Sequence, residues 1–185
     1  QYGAGDLSAL RRSIYVSLLL IGTVTILLNV AVFLWLDPIL RWLQVPYDIY
    51  PLMRNYLWII FWGIVFTFLY NFYAALLRAV GDSVTPLWFL AVSVVLNIGL
   101  DLFLILVLDQ GIEGAAVATV IAQGTAASGI LLYTYKIRPE LRLHREDMRF
   151  DRSSLREITS FSTLTCVQQS VMNFGILMVQ GLVNS

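Results

Sequence analysis

The chain has 185 residues, of which 58% are apolar and only 13% charged, and its mean hydropathy is +0.76; this is membrane composition and excludes an ordinary soluble domain. Twelve Lys and Arg balance twelve Asp and Glu, so there is no global field to attract nucleic acid. A single cysteine, Cys166, and a single histidine, His144, exclude an internal disulfide and a structural Cys/His zinc site.

No basic stretch, short apolar run and small-residue cleavage pattern opens the chain, so no signal peptide is read there, and the chain is expected to be cut at its start. Uncharged apolar runs then follow from Ile14 to Leu36, Asn55 to Leu77 and Leu87 to Leu108. A Gly/Ala-rich run from Gly114 to Tyr135 marks a fourth span, set at 112–135, and a fifth runs from Ile158 to the end. Each of the first four is roughly 22 residues, or about 33 Å of α-helix, enough to cross a hydrocarbon core of about 30 Å. Soluble helices would need charged outer faces, yet these runs hold no Lys or Arg and one carboxylate, Asp101. The fold class expected is all-α, a polytopic membrane helix bundle.

All five prolines fall in the connections or at their edges, as boundaries require: Pro38, Pro46 and Pro51, then Pro86, then Pro139. Asp37-Pro38 reads either as the N-cap and first position of a short interfacial helix over Ile39 to Leu43, anchored by Trp42, or as a reverse turn. Counted by side, ten Lys or Arg lie with the N-terminal end, Arg78 and the 136–157 segment, against Arg41 and Arg54 opposite. The positive-inside rule therefore puts the N-terminal end and the 136–157 loop in the cytoplasm. Because that loop mixes both signs, it reads as a solvated linker with an amphipathic helix and not as a lipid-binding basic patch. Four spans before the linker and one after it, ending at Ser185 without a charged stop, point to a fragment of a longer polytopic protein, truncated at both ends.

Asp101 is the pivotal residue within the membrane, where a carboxylate facing lipid would cost at least a few kcal/mol. It must therefore face a bundle interior or a water-filled cavity. Asn97 and Ser93 precede it at four-residue steps and share its helical face. Depth counted from the short turn between the third and fourth spans makes Thr119 level with Asp101 and Gln123 level with Asn97. A carboxylate, an amide and a hydroxyl supply hard oxygen ligands for a small cation, and a proton would neutralise the carboxylate equally well. A structural polar cluster is the alternative. Gly114, Ala118, Ala122 and Ala126 form a small-residue stripe that permits close helix approach. In the last span Thr159, Ser162, Cys166, Gln169, Asn173 and Gln180 form a polar stripe, which reads as a cavity-lining helix or a polar helix seam.

The stretch Leu77-Arg-Ala-Val-Gly-Asp-Ser-Val-Thr-Pro86, followed by Asn97-Ile-Gly-Leu-Asp101 and Gly114-Ala-Ala-Val-Ala-Thr119, resembles the multidrug and toxic compound extrusion (MATE) family. Gly3-Ala-Gly-Asp6, Asn55-Tyr-Leu-Trp-Ile59, Gln168-Gln169 and Asn184 add to the likeness. The resemblance implies two six-helix lobes, with the first four spans here closing the first lobe and the fifth opening the second. The lobes' remaining helices would be partners missing from this chain. It also implies a cation site in the first lobe, onto which Asn97, Asp101 and Thr119 map, with Tyr56 as a nearby tyrosine and a further aspartate on a helix not present here. The last span has no carboxylate, which favours coupling through the first lobe.

The function expected on these grounds is a secondary antiporter in the cell (plasma or inner) membrane. Inward flow of Na⁺ or H⁺ through Asn97, Asp101 and Thr119 would drive export of small amphipathic, often cationic compounds, with Gln123, Gln169 and Asn173 lining the substrate cavity. Any metal there is Na⁺ as coupling ion; no other cofactor and no nucleic-acid partner is expected. A flippase for lipid-linked sugars of the same architecture is the alternative, weakened by the absence of Lys or Arg within the spans. A channel or scaffold bundle is a further one. An enzyme would need paired carboxylates or a nucleophile with a base, and only Asp101 lies at depth.

Overall fold

The computed structural model describes residues 7–143 and 152–183. His144, Asn184 and the Gly3 to Asp6 motif lie outside the described residues, as does the side chain of Gln180. Among the described residues the elements are α1 (Leu7–Trp42), α2 (Tyr50–Ala79), α3 (Val84–Leu102), a π-helical turn (Phe103–Val107), α4 (Gly111–Ile137), a 3₁₀ turn (Pro139–Leu141) and α5 (Arg152–Val183). No strand occurs among them. The first four helices are each long and apolar enough to cross a membrane, and large apolar side chains such as Leu34, Val95 and Leu106 stand exposed on them. That outward apolar surface suits lipid or further helices, not water.

The connection after α1 corrects one expectation. Pro38 lies inside α1, which runs on to Trp42, so neither a separate interfacial helix nor a turn starts there. The Asp37 carboxylate is engaged elsewhere: it accepts from Arg54 Nε at 2.8 Å and from the Tyr50 hydroxyl at 3.0 Å across the hairpin. With its carboxylate held by α2, Asp37 is not capping a new helix. Pro38 removes one backbone hydrogen bond and crowds the Leu34 carbonyl, a cost confined to the helix's last turns.

The turn between α2 and α3 is set by Gly81 and Asp82. Gly81 takes a left-handed φ of 90°, which glycine adopts without a Cβ penalty. Its N–H then reaches Arg78 O at 3.1 Å and the Asp82 N–H reaches Leu77 O at 2.9 Å, the paired bonds of a Schellman C-cap. Asp82 next caps α3, accepting the Thr85 N–H at 3.1 Å and the Thr85 hydroxyl at 2.8 Å, while Pro86 occupies the first turn, where a missing N–H costs nothing.

The described residues divide into two units, one of Leu18–Arg142, the other comprising residues 7–17, Leu143 and Arg152–Val183. In the first, α4 packs closely along both α2 and α3, which barely approach each other. Small residues allow this. Gly114, Ala118, Ala122 and Ala126 are all buried, and a Cβ on Gly63 of α2 would lie 2.9 Å from Gln123 Oε1 and 3.1 Å from Val120 Cγ2. α1 meets α2 through longer side chains: Phe33 lies 5.4 to 6.1 Å, ring to ring, from Trp58, Phe61 and Trp62, and Asn29 Nδ2 donates to Phe61 O at 2.7 Å. In the second unit, α5 exposes its side chains throughout residues 159–176, and Thr159, Thr163, Thr165 and Ser170 return their hydroxyls to carbonyls four residues back.

Candidate cation site

The face of α3 that carries Ser93, Asn97 and Asp101 is turned toward α4. Ser93 Oγ donates to Ala122 O at 2.9 Å, and Asn97 Nδ2 donates to Thr119 Oγ1 at 3.4 Å. Three residues beyond Asp101, Leu104 Cβ sits 3.1 Å from where a Cβ on Gly114 would be. In the sequence Asp101 falls between these contacts, on the helical face it shares with Asn97. Its Oδ1 is buried and has no hydrogen-bond partner among the described residues.

The structure joins Asn97 to Thr119, with Asp101 one turn further along α3, a register one turn from the one expected. Thr119 pairs with Asn97 and not with Asp101. Two local features move it: α4 starts at Gly111, and the last turn of α3 is π-helical, closed by Leu108 N to Phe103 O at 3.2 Å. A π turn takes more residues per turn than an α turn, so residues there climb less and Asp101 comes nearer the helix end.

Thr119 holds a central place in the geometry. Its hydroxyl donates to Ala115 O at 2.9 Å while accepting from Asn97. The Asn97 bond is long for N–H···O, which leaves the amide free to turn toward an ion. The donor set is one carboxylate, one amide and one hydroxyl, all half-buried, and these are oxygen ligands of the kind a hard monovalent cation takes.

The other expected site residues lie elsewhere. Gln123 is not beside Asn97. It turns into the α2–α4 seam, where Oε1 accepts from the Thr67 hydroxyl at 3.0 Å, because α4 presents residues 119 and 123 to different neighbours. Tyr56 stands on α2 next to Asn55, whose amide donates to Glu113 Oε1 at 2.8 Å at the start of α4; among the described residues no hydrogen bond joins Tyr56 to Asn97, Asp101 or Thr119. Gln169 and Asn173 are exposed on α5, within the other unit. Clefts of about 740 Å³ beside Arg41 and Tyr50, and of about 420 Å³ beside Trp88 and Val95, do not include Asp101.

Sequence reasoning passed over Asn29 and Thr67. Isolated polar residues in apolar spans are themselves the signal, since each needs an interhelical or backbone partner. It also gave Asp82 and Arg138 no role. Burial pushes the Asp82 carboxyl up, but the Thr85 N–H and hydroxyl together with Arg138 outweigh it and hold the pKa below the usual value of 3.8.

A family model described as MatE matches residues 1–103, which include Asn97 and Asp101. The chain is 35% identical over its full 185 residues to the probable multidrug resistance protein YpnP of Bacillus subtilis (strain 168), of which it covers 41%. It is 34% identical to the probable multidrug resistance protein YoeA of the same organism over 159 residues, which are 84% of this chain and 33% of that protein. With the probable multidrug resistance protein NorM of Thermotoga maritima it shares 32% identity over 129 residues, 68% of this chain and 28% of that one. The chain therefore spans less than half the length of these relatives. No solved structure matches it significantly. Four long apolar helices and a family match over more than half the chain lead to one conclusion: this is an integral, multi-pass membrane protein and a member of the MatE family.

Proposed function

We propose that the chain is part of a cation-coupled antiporter that exports small amphipathic, often cationic compounds. In this reading α1 to α4 belong to the first lobe, α5 opens the second, and the N-terminal end and the 136–157 loop face the cytoplasm. The multidrug resistance names of its relatives support the export role. One observation supports the coupling role: Asp101 keeps a buried carboxylate oxygen without a hydrogen-bond partner among the described residues, one turn from the Asn97–Thr119 pair. A purely structural aspartate would satisfy both oxygens, because an unpaired buried acceptor costs about 1–3 kcal/mol. An incoming Na⁺ or H⁺ would satisfy it, and its departure would restore the cost, so occupancy shifts the balance between states of the lobe.

The test is Asp101→Asn in the full-length transporter, reconstituted in liposomes with imposed Na⁺ or H⁺ gradients. The amide is nearly isosteric, so folding should survive while gradient-driven efflux is lost. Efflux that responds to the gradient as wild type does would remove the coupling role and leave a structural polar cluster.

A further inference from the structure

At the other end of the bundle, Asp82 joins three parts of the chain. Besides capping α3 through Thr85, its Oδ2 lies 3.6 Å from Arg138 Nη2 and 3.5 Å from the Tyr133 hydroxyl of α4. The Asp82 side chain is 10% exposed and that of Arg138 30%, so the pair is more sheltered than an ordinary surface ion pair. Arg138 Nη1 also reaches Glu140 at 3.5 Å. Beyond it, Leu141 is buried at 4% exposure. Arg142 folds back onto α4, with Nε donating to Tyr135 O at 2.6 Å and the guanidinium 4.7 Å over the Tyr135 ring. The backbone closes the same turn, with Leu141 N to Arg138 O at 3.0 Å and Arg142 N to Pro139 O at 3.2 Å.

A merely solvated connection would leave these charged side chains in water and Leu141 exposed. Here an ion pair, an apolar anchor and a cation–π contact bind the five residues after α4 to the helices before them. The boundary of the unit containing α2 to α4 falls just after them, between Arg142 and Leu143.

We propose that Asp82 and Arg138 are positioning residues of the transport cycle: they clamp Arg138–Arg142 to the first lobe, so that movement between lobes begins only after Arg142. The proposal rests on the two-lobe reading above but not on Asp101 being the coupling residue. Freed and extended at about 3.3–3.6 Å per residue, these five residues would add up to roughly 17 Å of slack to the connection. Slack of that size would let one lobe move without drawing the other.

The test uses the full-length protein with Arg138→Gln and Arg138→Lys, both of which leave the Asp82–Thr85 cap intact. Hydrogen–deuterium exchange by mass spectrometry, read on overlapping peptides across 134–143, should show slow exchange in wild type, unchanged by substrate or ion gradient. Arg138→Gln should exchange roughly fivefold faster or more there, and Arg138→Lys should recover part of the protection. In liposomes, Arg138→Gln should lower efflux turnover while drug affinity, read by fluorescence titration, stays unchanged. Fast exchange in wild type would overturn the clamp. Faster exchange in Arg138→Gln with unaltered turnover would overturn its role in transport. If Asp101→Asn leaves gradient-driven efflux intact, the coupling reading alone fails, because the exchange result needs no gradient.

Discussion

Replacing Gly114 by alanine puts one methyl group where α3 and α4 touch, next to the candidate site. The new Cβ would lie 3.0 Å from Gln110 Cβ, 3.1 Å from Leu104 Cβ and 3.5 Å from the Leu104 backbone carbon, against about 3.5–4.0 Å for comfortable carbon contacts. None of these atoms is the free end of a flexible side chain, so α3 must retreat by roughly 0.5 Å at Leu104. Overpacking of this kind costs about 1–3 kcal/mol, offset by up to about 1 kcal/mol of helix propensity. Gly124→Ala is the matched control on the same helix. Its Cβ would meet only the Phe66 ring at 3.8 Å, so it should be neutral or stabilising by up to about 1 kcal/mol. Denaturant unfolding of the purified full-length transporter in detergent should place Gly114→Ala below Gly124→Ala by about 1–3 kcal/mol. Because Leu104 follows Asp101 by three residues, Gly114→Ala should also stretch the already long Asn97–Thr119 bond and weaken gradient-driven efflux more than the control does. Equal stability of the two variants would refute the close-packing argument for this helix pair.

Thr119→Ala removes the acceptor of the Asn97 bond, worth about 0.6–2 kcal/mol between membrane helices; ion-gradient efflux should weaken, though less than with Asp101→Asn, since a hydroxyl offers only a dipole. Asp82 has a folded pKa below its unfolded value, so its stabilising contribution is complete above the unfolded pKa and is lost as pH falls through the lower folded one. The stability difference between wild type and Asp82→Asn should accordingly hold at pH 7 and pH 5 and shrink only below about pH 3.9 in unfolding measurements across pH. Orientation is tested in a Cys166→Ser background, since Cys166 is itself exposed: Tyr47→Cys should react with impermeant thiol reagents on intact cells and Lys136→Cys only with permeant ones, and the reverse pattern overturns the topology.

The spans were legible because hydrocarbon imposes one simple rule, a long uncharged apolar run, and α1 to α4 each contain such a run. The identity of the α3–α4 pair, and the choice of Asn97, Asp101 and Thr119, followed from a short connection and a costly carboxylate. Register was not legible at single-turn resolution. It depends on the π turn at Phe103–Val107, and nothing in Phe-Leu-Ile-Leu-Val distinguishes π from α geometry. The fate of Pro38 was likewise decided at a distance, by Arg54 and Tyr50 drawing Asp37 away from a cap. The partner of Arg138 was hidden for a related reason: a mixture of charges reads as solvated, but Arg138 finds its partner more than fifty residues earlier, in the Gly-Asp turn.

α4 is the helix that joins the Asn97 face of α3 to α2 and to the segment that follows it. One side pairs Thr119 with Asn97 and touches Leu104 through Gly114, while another presents Gln123 and Val120 to Gly63 and Thr67 of α2. Its first turn is tied to α2 by Glu113 and Asn55, and its last turns are tied to Asp82 by Tyr133 and Arg138. Small residues leave little free space along either seam, so a shift at Asn97–Thr119 cannot be absorbed locally and must move α4 relative to α2 or carry both together. The ties at both ends favour carrying both. On the antiporter reading proposed above, occupancy of the Asp101 site would move α2 and α4 as one body and carry the clamped segment with them, up to Arg142, without loosening it.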